Sequence, residues 1–452
     1  MWTCVFDLQT KTPLYAQLYD ALKQDILSGR IKGGEKLPSK RALAEHLSIS
    51  RSTVETAYEQ LLAEGYILSR PRSGFYAEML EHLPVPSEAL HIAPEPEVPL
   101  SGSSTSHFPF SVWAKLMRTV LAEDKLLLSV PNTGLPRLRC AIAGMLRRSR
   151  GMTVEPQQII VGAGTEYFYN ILVQLLGREQ LYGIEDPGHR TLRYAYEAAG
   201  AAVQPIGLDE SGVNMAALEH SSATVLHLSP GHQYPTGLVT PIGRRRQLMA
   251  WVTQQERRWL VEDEYDSEFR FTGRIIPTMF SMDTAGRVIY LNTFSKTISP
   301  ALRISYMILP AALMAQYRSK LGFYSCPVPG AEQLTLAKFL DDGYFEKQIS
   351  RMKRHYRLLR DEFLGLLRRS PKAKRITVQG QDAGLHFLLA LDTPFSEEEI
   401  ERRLAEAGVR AVSLRSYAYD PATVPKGRIV LHYSDLEQAQ LPALLAALEA
   451  LV

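Results

Sequence analysis

The residues best suited to covalent chemistry lie in the segment 288–303, VIYLNTFSKTISPALR, around Lys296. Four apolar residues open this segment and predict a buried strand. A lysine that follows such a strand is partly desolvated, as an amine nucleophile requires. The hydroxyls of Thr293 and Ser295, with the guanidinium of Arg303, are placed to hold a phosphate beside it. A lysine next to a phosphate pocket indicates a Schiff base with pyridoxal phosphate (PLP); a surface lysine is the alternative for this motif taken alone.

A carboxylate and a tyrosine follow a second apolar run, in RRWLVEDEYDSEF. Asp263 ends the predicted strand, which is where open α/β sheets bind their ligands. PLP chemistry uses a carboxylate to keep the pyridine nitrogen protonated and a tyrosine to bond the ring hydroxyl. We predict these roles for Asp263 and Tyr265, which with Lys296 form the predicted catalytic set. An exposed strand-end acid is the alternative for Asp263 alone.

A glycine turn between a strand and a helix, in QIIVGAGTEYFYNILVQLLG, gives a second phosphate signal. Backbone amides and the helix dipole near Gly164 and Thr165 favour a phosphate group. His189, after EDPG, offers a ring-sized side chain, and a P-T-G loop follows further along. Each signal is weak by itself, but their order along one chain predicts a PLP site.

The composition of the chain is that of an ordinary soluble protein. Its 452 residues are 45% hydrophobic and 22% charged, enough for roughly three domains. The formal charge of +3 argues for no partner, and no run reaches the ~18 apolar residues of a membrane span. Without a signal-peptide layout, the expected location is the cytoplasm. Cys4, Cys140 and Cys326 form no C-x-x-C pair, so we expect reduced packing residues and no disulfide or metal site.

The first 78 residues predict a winged helix-turn-helix domain. Apolar residues recur at every fourth position from Leu14 to Ile26 and predict an amphipathic helix. Ser39 and Ser50 are positioned to cap two shorter helices separated by a tight turn. Two strand-like pieces around a turn follow in YILSRPRSGFYA. This pattern is typical of a helix-turn-helix followed by a wing.

Basic and short polar residues lie where such a domain meets DNA. Arg51, Ser52 and Thr53 begin the second short helix, whose free amides favour phosphate oxygens and base edges. Arg70 and Arg72 lie in the wing and are placed to contact a groove. Because acidic residues nearly balance the basic ones here, the positive charge is local. A small helical interaction module is the alternative.

Residues 79–107 lose the apolar periodicity and are rich in proline, serine and glycine, which predicts a linker. An ordered arm wrapped on the next domain is the alternative. From residue 108 to residue 452, predicted strands and helices alternate, as in an α/β sheet covered by helices. We therefore expect a mostly α domain at 1–78, a linker at 79–107 and an α/β domain at 108–452.

The run EKLPSKRALAEHLSISRSTVETAYEQLLAEGYILSRPRSGFY resembles the DNA-binding domain of the GntR family of bacterial repressors and activators. The resemblance rests on the L-P-S opening, the S-R-x-T-V turn and L-x-x-E-G-Y before the wing. It implies double-stranded operator DNA as a partner. Lys40 departs from the family, which usually has glutamate there. The implied DNA contacts are Ser39, Lys40, Arg41, Arg51, Ser52, Thr53, Arg70, Arg72 and Gly74.

Residues 108–452 resemble the fold-type I aminotransferases, a three-layer α/β fold. A winged helix joined to that fold is similar to the MocR subfamily of GntR regulators, of which HQYPTG, EDEYDSEF, NTFSK and ALRISYMILP are typical. The resemblance implies His189 stacked on the PLP ring, and Arg415, with Arg428 as runner-up, facing an effector carboxylate. It also implies a head-to-tail homodimer and an amine or amino-acid effector. The implied phosphate residues are Gly164, Thr165, Thr293, Ser295 and Arg303.

Two departures from the aminotransferase pattern bear on activity. His189 stands where tyrosine is more frequent, and Tyr234 stands where aminotransferases generally carry an asparagine against the ring hydroxyl. Both weaken the case for efficient transamination. We therefore expect a PLP-dependent transcription regulator that senses PLP or an amino effector. The alternatives are a working aminotransferase with an appended DNA module, and a sensor of PLP alone that controls cofactor synthesis.

Overall fold

The computed structural model describes residues 2–4, 6–7, 10, 12–79, 107–123, 129–273 and 276–452. The chain divides into two units, Met1–Pro99 and Leu100–Val452. Nearly all of the predicted linker at 79–107 lies outside the described residues, so the limits 1–78 and 108–452 stay predictions. None of the helices described is long and apolar enough to cross a membrane.

The N-terminal unit is a winged helix-turn-helix, as the sequence predicted. Ser39 and Ser50 cap the second and third helices, each accepting a hydrogen bond from the amide three residues on. The two strands pair antiparallel, with Arg70 opposite Gly74. The described elements are α1 (Leu14–Leu27), α2 (Lys40–Leu47), α3 (Arg51–Ala63), β1 (Ile67–Arg70) and β2 (Gly74–Ala77).

The apolar spacing that predicted these helices also forms their core. Leu18 and Leu22 of α1 pack with Val54 and Tyr58 of α3 in one buried cluster. Leu18, Leu22 and Val54 have no exposed surface. The helix that begins at Arg51 is therefore fixed to the unit by its apolar face, and its N-terminus remains at the surface.

The second unit is built on a mixed eight-stranded sheet with the order β3-β10-β9-β8-β7-β4-β5-β6. Strands β4, β5, β7, β8 and β9 run parallel, and β10 is antiparallel to both of its neighbours. The strands are β3 (Ile159–Ala163), β4 (Leu181–Asp186), β5 (Ala202–Asp209), β6 (Gly212–Val213), β7 (Val225–Leu228), β8 (Trp259–Glu264), β9 (Val288–Thr293) and β10 (Ile304–Ile308).

Helices cover both faces of this sheet, which confirms the three-layer prediction. Ile159 and Val161 belong to the cluster on one face, while Ile160 belongs to the cluster on the other. The helices described in the whole second unit are α4 (Phe110–Leu121), α5 (Pro136–Arg150), α6 (Thr165–Leu176), α7 (Arg190–Ala198), α8 (Met215–His220), α9 (Ile242–Thr253), α10 (Met279–Met282), α11 (Ala311–Leu321), α12 (Gly330–Asp341), α13 (Tyr344–Arg369), α14 (Glu397–Glu406) and α15 (Leu441–Leu451).

A second, four-stranded antiparallel sheet with the order β11-β12-β14-β13 completes the unit. Its core is mainly aliphatic and contains one aromatic stack, in which Phe387 lies against both Phe363 and Tyr433. Helices α13 and α15 pack against it. Its strands are β11 (Ile376–Gln379), β12 (Phe387–Leu391), β13 (Ala411–Ser413) and β14 (Arg428–Leu431).

The cysteine prediction was wrong for one residue of three. All three cysteines are free thiols, and Cys4 and Cys326 are partly buried. Cys140, however, is exposed. It lies on α5, whose buried positions include Leu138, Ala141 and Ile142, so the helix turns Cys140 toward solvent.

Candidate functional site

All the predicted cofactor residues line one cavity of about 260 Å³. They meet because β4, β7, β8 and β9 are parallel, so that the segments following these strands lie at one edge of the sheet. The topology therefore brings together residues that are far apart in sequence. In chain order these are Gly164, Thr165, His189, Asp263, Tyr265, Thr293, Ser295, Lys296 and Arg303.

One end of the cavity suits a phosphate group. Helix α6 begins after Gly164, and no side chain caps its N-terminus, so its first amides are available to an anion. Gly164 has a φ of +89°, and a Cβ there would clash with the guanidinium of Arg303. The positive φ thus favours glycine at this turn, and the absence of a Cβ lets Arg303 approach the backbone.

Arg303 and Thr293 have partners within this end of the cavity. Arg303 Nη2 donates to Glu166 Oε2 at 2.8 Å, and both side chains are about half exposed. The hydroxyl of Thr293 donates to Ser295 Oγ at 2.9 Å and accepts from Ser305 Oγ at 2.9 Å. Thr293 therefore fixes the loop that carries Ser295, while Arg303 stays free to exchange Glu166 for another anion.

Asp263 has one oxygen engaged and one oxygen without a partner. Tyr169 donates to Oδ2 at 2.9 Å, and His227 Nε2 lies 3.2 Å from the same atom. Tyr196 bonds the other nitrogen of His227 at 2.7 Å. Oδ1 is buried and unpartnered, although Asp263 lines the cavity. A buried carboxylate oxygen without a partner fits a protonated ring nitrogen, as PLP would supply.

A buried His-Asp pair supports Tyr265. The Tyr265 hydroxyl lies 3.1 Å from His232 Nδ1, which lies 2.9 Å from Asp266 Oδ2. His386 is near enough that these three residues form a group able to hold a metal ion, the one such group among the described residues. His386 Nε2, however, bonds the carbonyl of Pro235 at 3.2 Å. These hydrogen bonds account for His232 Nδ1, Asp266 and His386 Nε2 without an ion.

Another wall of the cavity is aromatic and uncharged at neutral pH. The Tyr234 hydroxyl bonds that of Tyr417 at 2.8 Å and His432 Nε2 at 3.2 Å. Burial lowers the pKa of His432 to about 4, and the charge of Lys296 acts in the same direction. Burial also lowers the pKa of His386 well below its ordinary value. Both imidazoles are therefore neutral near pH 7.

The two arginines predicted for an effector carboxylate do not line this cavity. Arg415 Nε donates to the carbonyl of Val424 at 2.9 Å and lies 3.7 Å from Glu397. It lines a neighbouring cavity of about 320 Å³, and Arg428, which begins β14, lines neither cavity. Of the lysines and arginines described, the cofactor cavity is lined by Lys296 and Arg303 alone. The effector assignments stay predictions.

Glu185 also lines the cavity, although we did not predict it as a site residue. It is 7% exposed, at the end of β4. Its Oε2 accepts from the Ser229 amide at 2.9 Å, while Oε1 is buried without a partner. Burial raises the pKa of Glu185 to about 8, and the charge of Asp263 acts in the same direction. The carboxyl is therefore mostly protonated near pH 7.

The residues predicted to contact DNA differ in how exposed their side chains are and in whether they already have a partner. Arg51 and Ser52 are exposed at the first two positions of α3. The Lys40 side chain is only 20% exposed, and its amine lies 2.6 Å from Glu55. Lys40 therefore ties α2 to α3, and its role in DNA binding stays a prediction.

The other predicted DNA contacts lie on the surface of the same unit. The Ser39 side chain caps α2, and Thr53, partly buried, bonds Ser50 at 2.8 Å. Arg41 pairs with Glu45. In the wing, Arg70 lies over the Tyr76 ring, and both Arg72 and Gly74 have positive φ.

Sequence reasoning missed most of the residues that surround the predicted ones. His227 was the detectable case, because a titratable residue inside the apolar run VLHL is unusual. Tyr169 follows Phe168 on a helix with an evident apolar face, so the sequence predicts only a packing role for it and gives no sign of its contact with Asp263. His386 and His432 come from the second sheet, which no motif linked to Lys296.

Two families match the chain. Residues 14–77 match the gntR family of bacterial regulatory proteins, and residues 98–448 match class I and II aminotransferases. The first match implies that the N-terminal unit binds DNA. The crystal structure of an archaeal alanine:glyoxylate aminotransferase covers 77% of this chain and 88% of its own, with a TM-score of 0.70 and 22% identity. At that identity the likeness shows the fold alone.

Relatives with both parts are regulators by name. The HTH-type transcriptional regulator YdeL of Bacillus subtilis is 38% identical over 91% of each chain. MocR of Rhizobium meliloti, a rhizopine catabolism regulatory protein by name, is 32% identical over 96% of this chain and 92% of its own. The pyridoxine biosynthesis regulator PdxR of Corynebacterium glutamicum is 32% identical over 90% and 89%. The chain therefore belongs to the MocR subfamily of GntR-type transcription regulators, with an aminotransferase-like domain.

Proposed function

We propose that this regulator binds PLP through Lys296 and senses either PLP itself or an amine-bearing metabolite. The observation that carries the proposal is the single cavity in which Lys296, Asp263 and Tyr265 lie together with a phosphate-binding end. The match to class I and II aminotransferases supports PLP as the cofactor.

The phosphate-binding end positions the cofactor. The amides that open α6 and the side chains of Ser295 and Arg303 would bind the phosphate. When bound, PLP supplies an aldehyde that condenses with amines and a ring that withdraws electrons. Lys296 directly follows Ser295, which belongs to the phosphate-binding end. Its amine would therefore lie beside the aldehyde of a bound PLP.

Asp263 and Tyr265 orient the ring. Asp263 would hold a proton at the pyridine nitrogen through Oδ1, while Tyr169 and His227 fix its other oxygen. Tyr265 is held by His232, so its hydroxyl is positioned to bond the ring oxygen. His189, which lines the cavity, would stack on the ring.

Sensing would change the state of the Lys296 amine. In one state Lys296 is engaged by the cofactor, and in the other it is a free ammonium beside His386 and His432. Its charge already lowers the pKa of both imidazoles. The two states therefore differ in local charge, which shifts DNA binding only if they differ in how well the DNA-binding units fit their operator.

The cavity wall bears on what is sensed. His386 and His432 are neutral, and Arg415 does not line this cavity, so this wall offers no cation to a carboxylate. The observation favours PLP itself over a carboxylated amine as the signal. PdxR, one of the relatives, is named for pyridoxine biosynthesis.

A working aminotransferase is the second candidate, because Lys296, Asp263 and Tyr265 are all retained in one cavity. One experiment separates the two. The purified protein is titrated with PLP and then with a panel of amino acids and ω-amino acids, while absorbance, keto acid product and operator affinity are followed. A visible absorbance band with altered operator affinity and no turnover supports the sensor. Multiple turnovers would make the enzyme the better account.

Two variants control this experiment. Lys296→Ala should lose the absorbance band and keep basal operator affinity, whereas Lys347→Ala removes an exposed lysine outside the cavity and should behave as wild type. Loss of folding in Lys296→Ala would instead give Lys296 a structural role. The head-to-tail homodimer also stays a prediction, which light scattering with and without operator DNA would test.

A further inference from the structure

The order of the strands defines two sides of the cavity. The phosphate residues come from the ends of β3 and β9 and from the segment before β10, all on one side of β8 in the sheet. Asp263 lies on β8, and β7 and β4 follow on the other side. In PLP the ring hydroxyl and the phosphate arm flank the aldehyde carbon on opposite sides. In bound PLP the hydroxyl edge would therefore face the ends of β7 and β4.

Few groups on that side are free to bond a ring oxygen. The Tyr265 hydroxyl is one candidate. Tyr234 is not, because its hydroxyl bonds Tyr417 and His432. Ser229, after β7, uses its amide to bond Glu185, and its hydroxyl is a further candidate. The ring oxygen of PLP has two lone-pair directions, so it can accept a hydrogen bond from a second donor in addition to Tyr265.

Glu185 has the position and the vacant atom for this task. It is the last residue but one of β4, lines the cavity and is 7% exposed. Its Oε2 accepts from the Ser229 amide and Oε1 makes no hydrogen bond, although the Gln233 side chain is near enough to lower the pKa of this carboxyl somewhat. A buried polar atom without a partner is destabilising, so a ligand that supplies one gains affinity. Among the other acids that line the cavity, Glu166 pairs with Arg303, Asp266 bonds His232 and Asp263 is assigned to the ring nitrogen, which leaves Glu185.

The protonation of Glu185 decides whether it donates or repels. The titratable groups that line the cavity with it include Asp263 on β8, Tyr265 directly after β8, His227 on β7, His189 before α7 and Lys296 after β9. Burial and the charge of Asp263 raise the pKa of Glu185 to about 8. Near pH 7 the acid therefore has a proton to donate from Oε1.

We propose that Glu185 is a cofactor-binding residue which, as a neutral carboxylic acid, donates a hydrogen bond from Oε1 to the ring oxygen of PLP. This inference rests on the proposed binding of PLP at Lys296. Tyr265 and Glu185 then bond the ring oxygen together. Above about pH 8 Glu185 becomes an anion and repels the oxygen that it bonded.

The test measures the PLP dissociation constant of full-length protein from about pH 6 to about pH 9, by absorbance and tryptophan fluorescence. Glu185→Ala removes the donor and should weaken binding about tenfold near pH 7. Glu185→Gln keeps a donor and should bind within about threefold of wild type. Wild type should lose affinity more steeply than Glu185→Gln above about pH 8, because only wild type ionises there.

A matched control uses the neighbouring acid. Asp186 is half-buried, bonds the Tyr419 amide and does not line the cofactor cavity, so Asp186→Asn should keep the wild-type affinity and pH profile. Wild-type affinity in Glu185→Ala, or equal pH profiles for wild type and Glu185→Gln, would overturn the inference while leaving PLP binding intact. Failure of wild type to bind PLP at any pH would overturn the proposed function and the inference with it.

Discussion

Glu185→Gln should change how the stability of the PLP-free protein depends on pH. In the folded protein the pKa of Glu185 lies at about 8, against an ordinary 4.5. The folded state therefore binds this proton more tightly than the unfolded state does. The stabilisation is fully present below about pH 4.5, declines as pH rises and is lost once pH exceeds about 8. Glutamine has no proton to lose and removes this dependence.

The size of the effect follows from the two pKa values. Each pH unit between them is worth about 1.4 kcal/mol, so the whole interval amounts to roughly 3–5 kcal/mol. Glu262, whose pKa burial also raises above its ordinary value, adds a slope of the same sign. It is present in both proteins, however, and its contribution cancels in the difference between wild type and variant.

The assay is urea unfolding of both proteins at several values from about pH 5 to about pH 9, followed by tryptophan fluorescence. Trp113, Trp251 and Trp259 all belong to the second unit, so the signal mainly reports that unit. Relative to Glu185→Gln, wild type should lose about 3–5 kcal/mol of unfolding free energy across this range. A difference that stays constant with pH would refute the protonated, buried carboxyl.

Three further perturbations follow from the contacts. Arg51→Ala should weaken operator binding by about 1–3 kcal/mol if the exposed guanidinium reads a base edge. The control Arg30→Ala, which removes a surface arginine paired with Asp25, should bind the operator as wild type does. Equal operator affinities of Arg51→Ala and wild type in a gel-shift titration would remove Arg51 from the interface. Lys40→Ala should lower the unfolding temperature more than Arg41→Ala does, because the Lys40–Glu55 ion pair is more buried than the Arg41–Glu45 pair. A larger drop in unfolding temperature for Arg41→Ala, measured by calorimetry, would contradict a structural role for Lys40. Glu166→Gln should tighten PLP binding by about two- to fivefold, because it frees Arg303 and removes a negative charge beside the phosphate-binding end. Weaker PLP binding by the variant would argue against that location for the phosphate.

The parts of the fold and site that could be predicted are those encoded locally. Ser39 and Ser50 were recognisable as helix caps, because capping depends on a few neighbouring residues. Lys296 and Asp263 were recognisable because each follows an apolar run, and parallel strands bring the segments at their carboxyl ends to one edge. Sequence patterns of this kind specify position along an element, and the sheet topology then specifies the site.

The parts that could not be predicted depend on contacts between distant segments. Glu185 looks like any strand-end acid until burial by β7 and the approach of Asp263 are known. Arg415 was assigned by resemblance, but its partners, Val424 and Glu397, come from segments that the motif does not include. Lys40 was likewise placed among the DNA contacts, although the helix that follows supplies Glu55 as its partner.

The central claim is that Lys296 is the residue that holds PLP. The most direct measurement is to incubate the full-length protein with PLP, reduce it with borohydride, and locate the modified lysine by peptide mass spectrometry. We expect one labelled peptide, containing Lys296, and no label in Lys296→Ala, while Lys347→Ala is labelled as wild type is. Labelling elsewhere with Lys296 unmodified, or equal labelling of Lys296→Ala, would contradict the account.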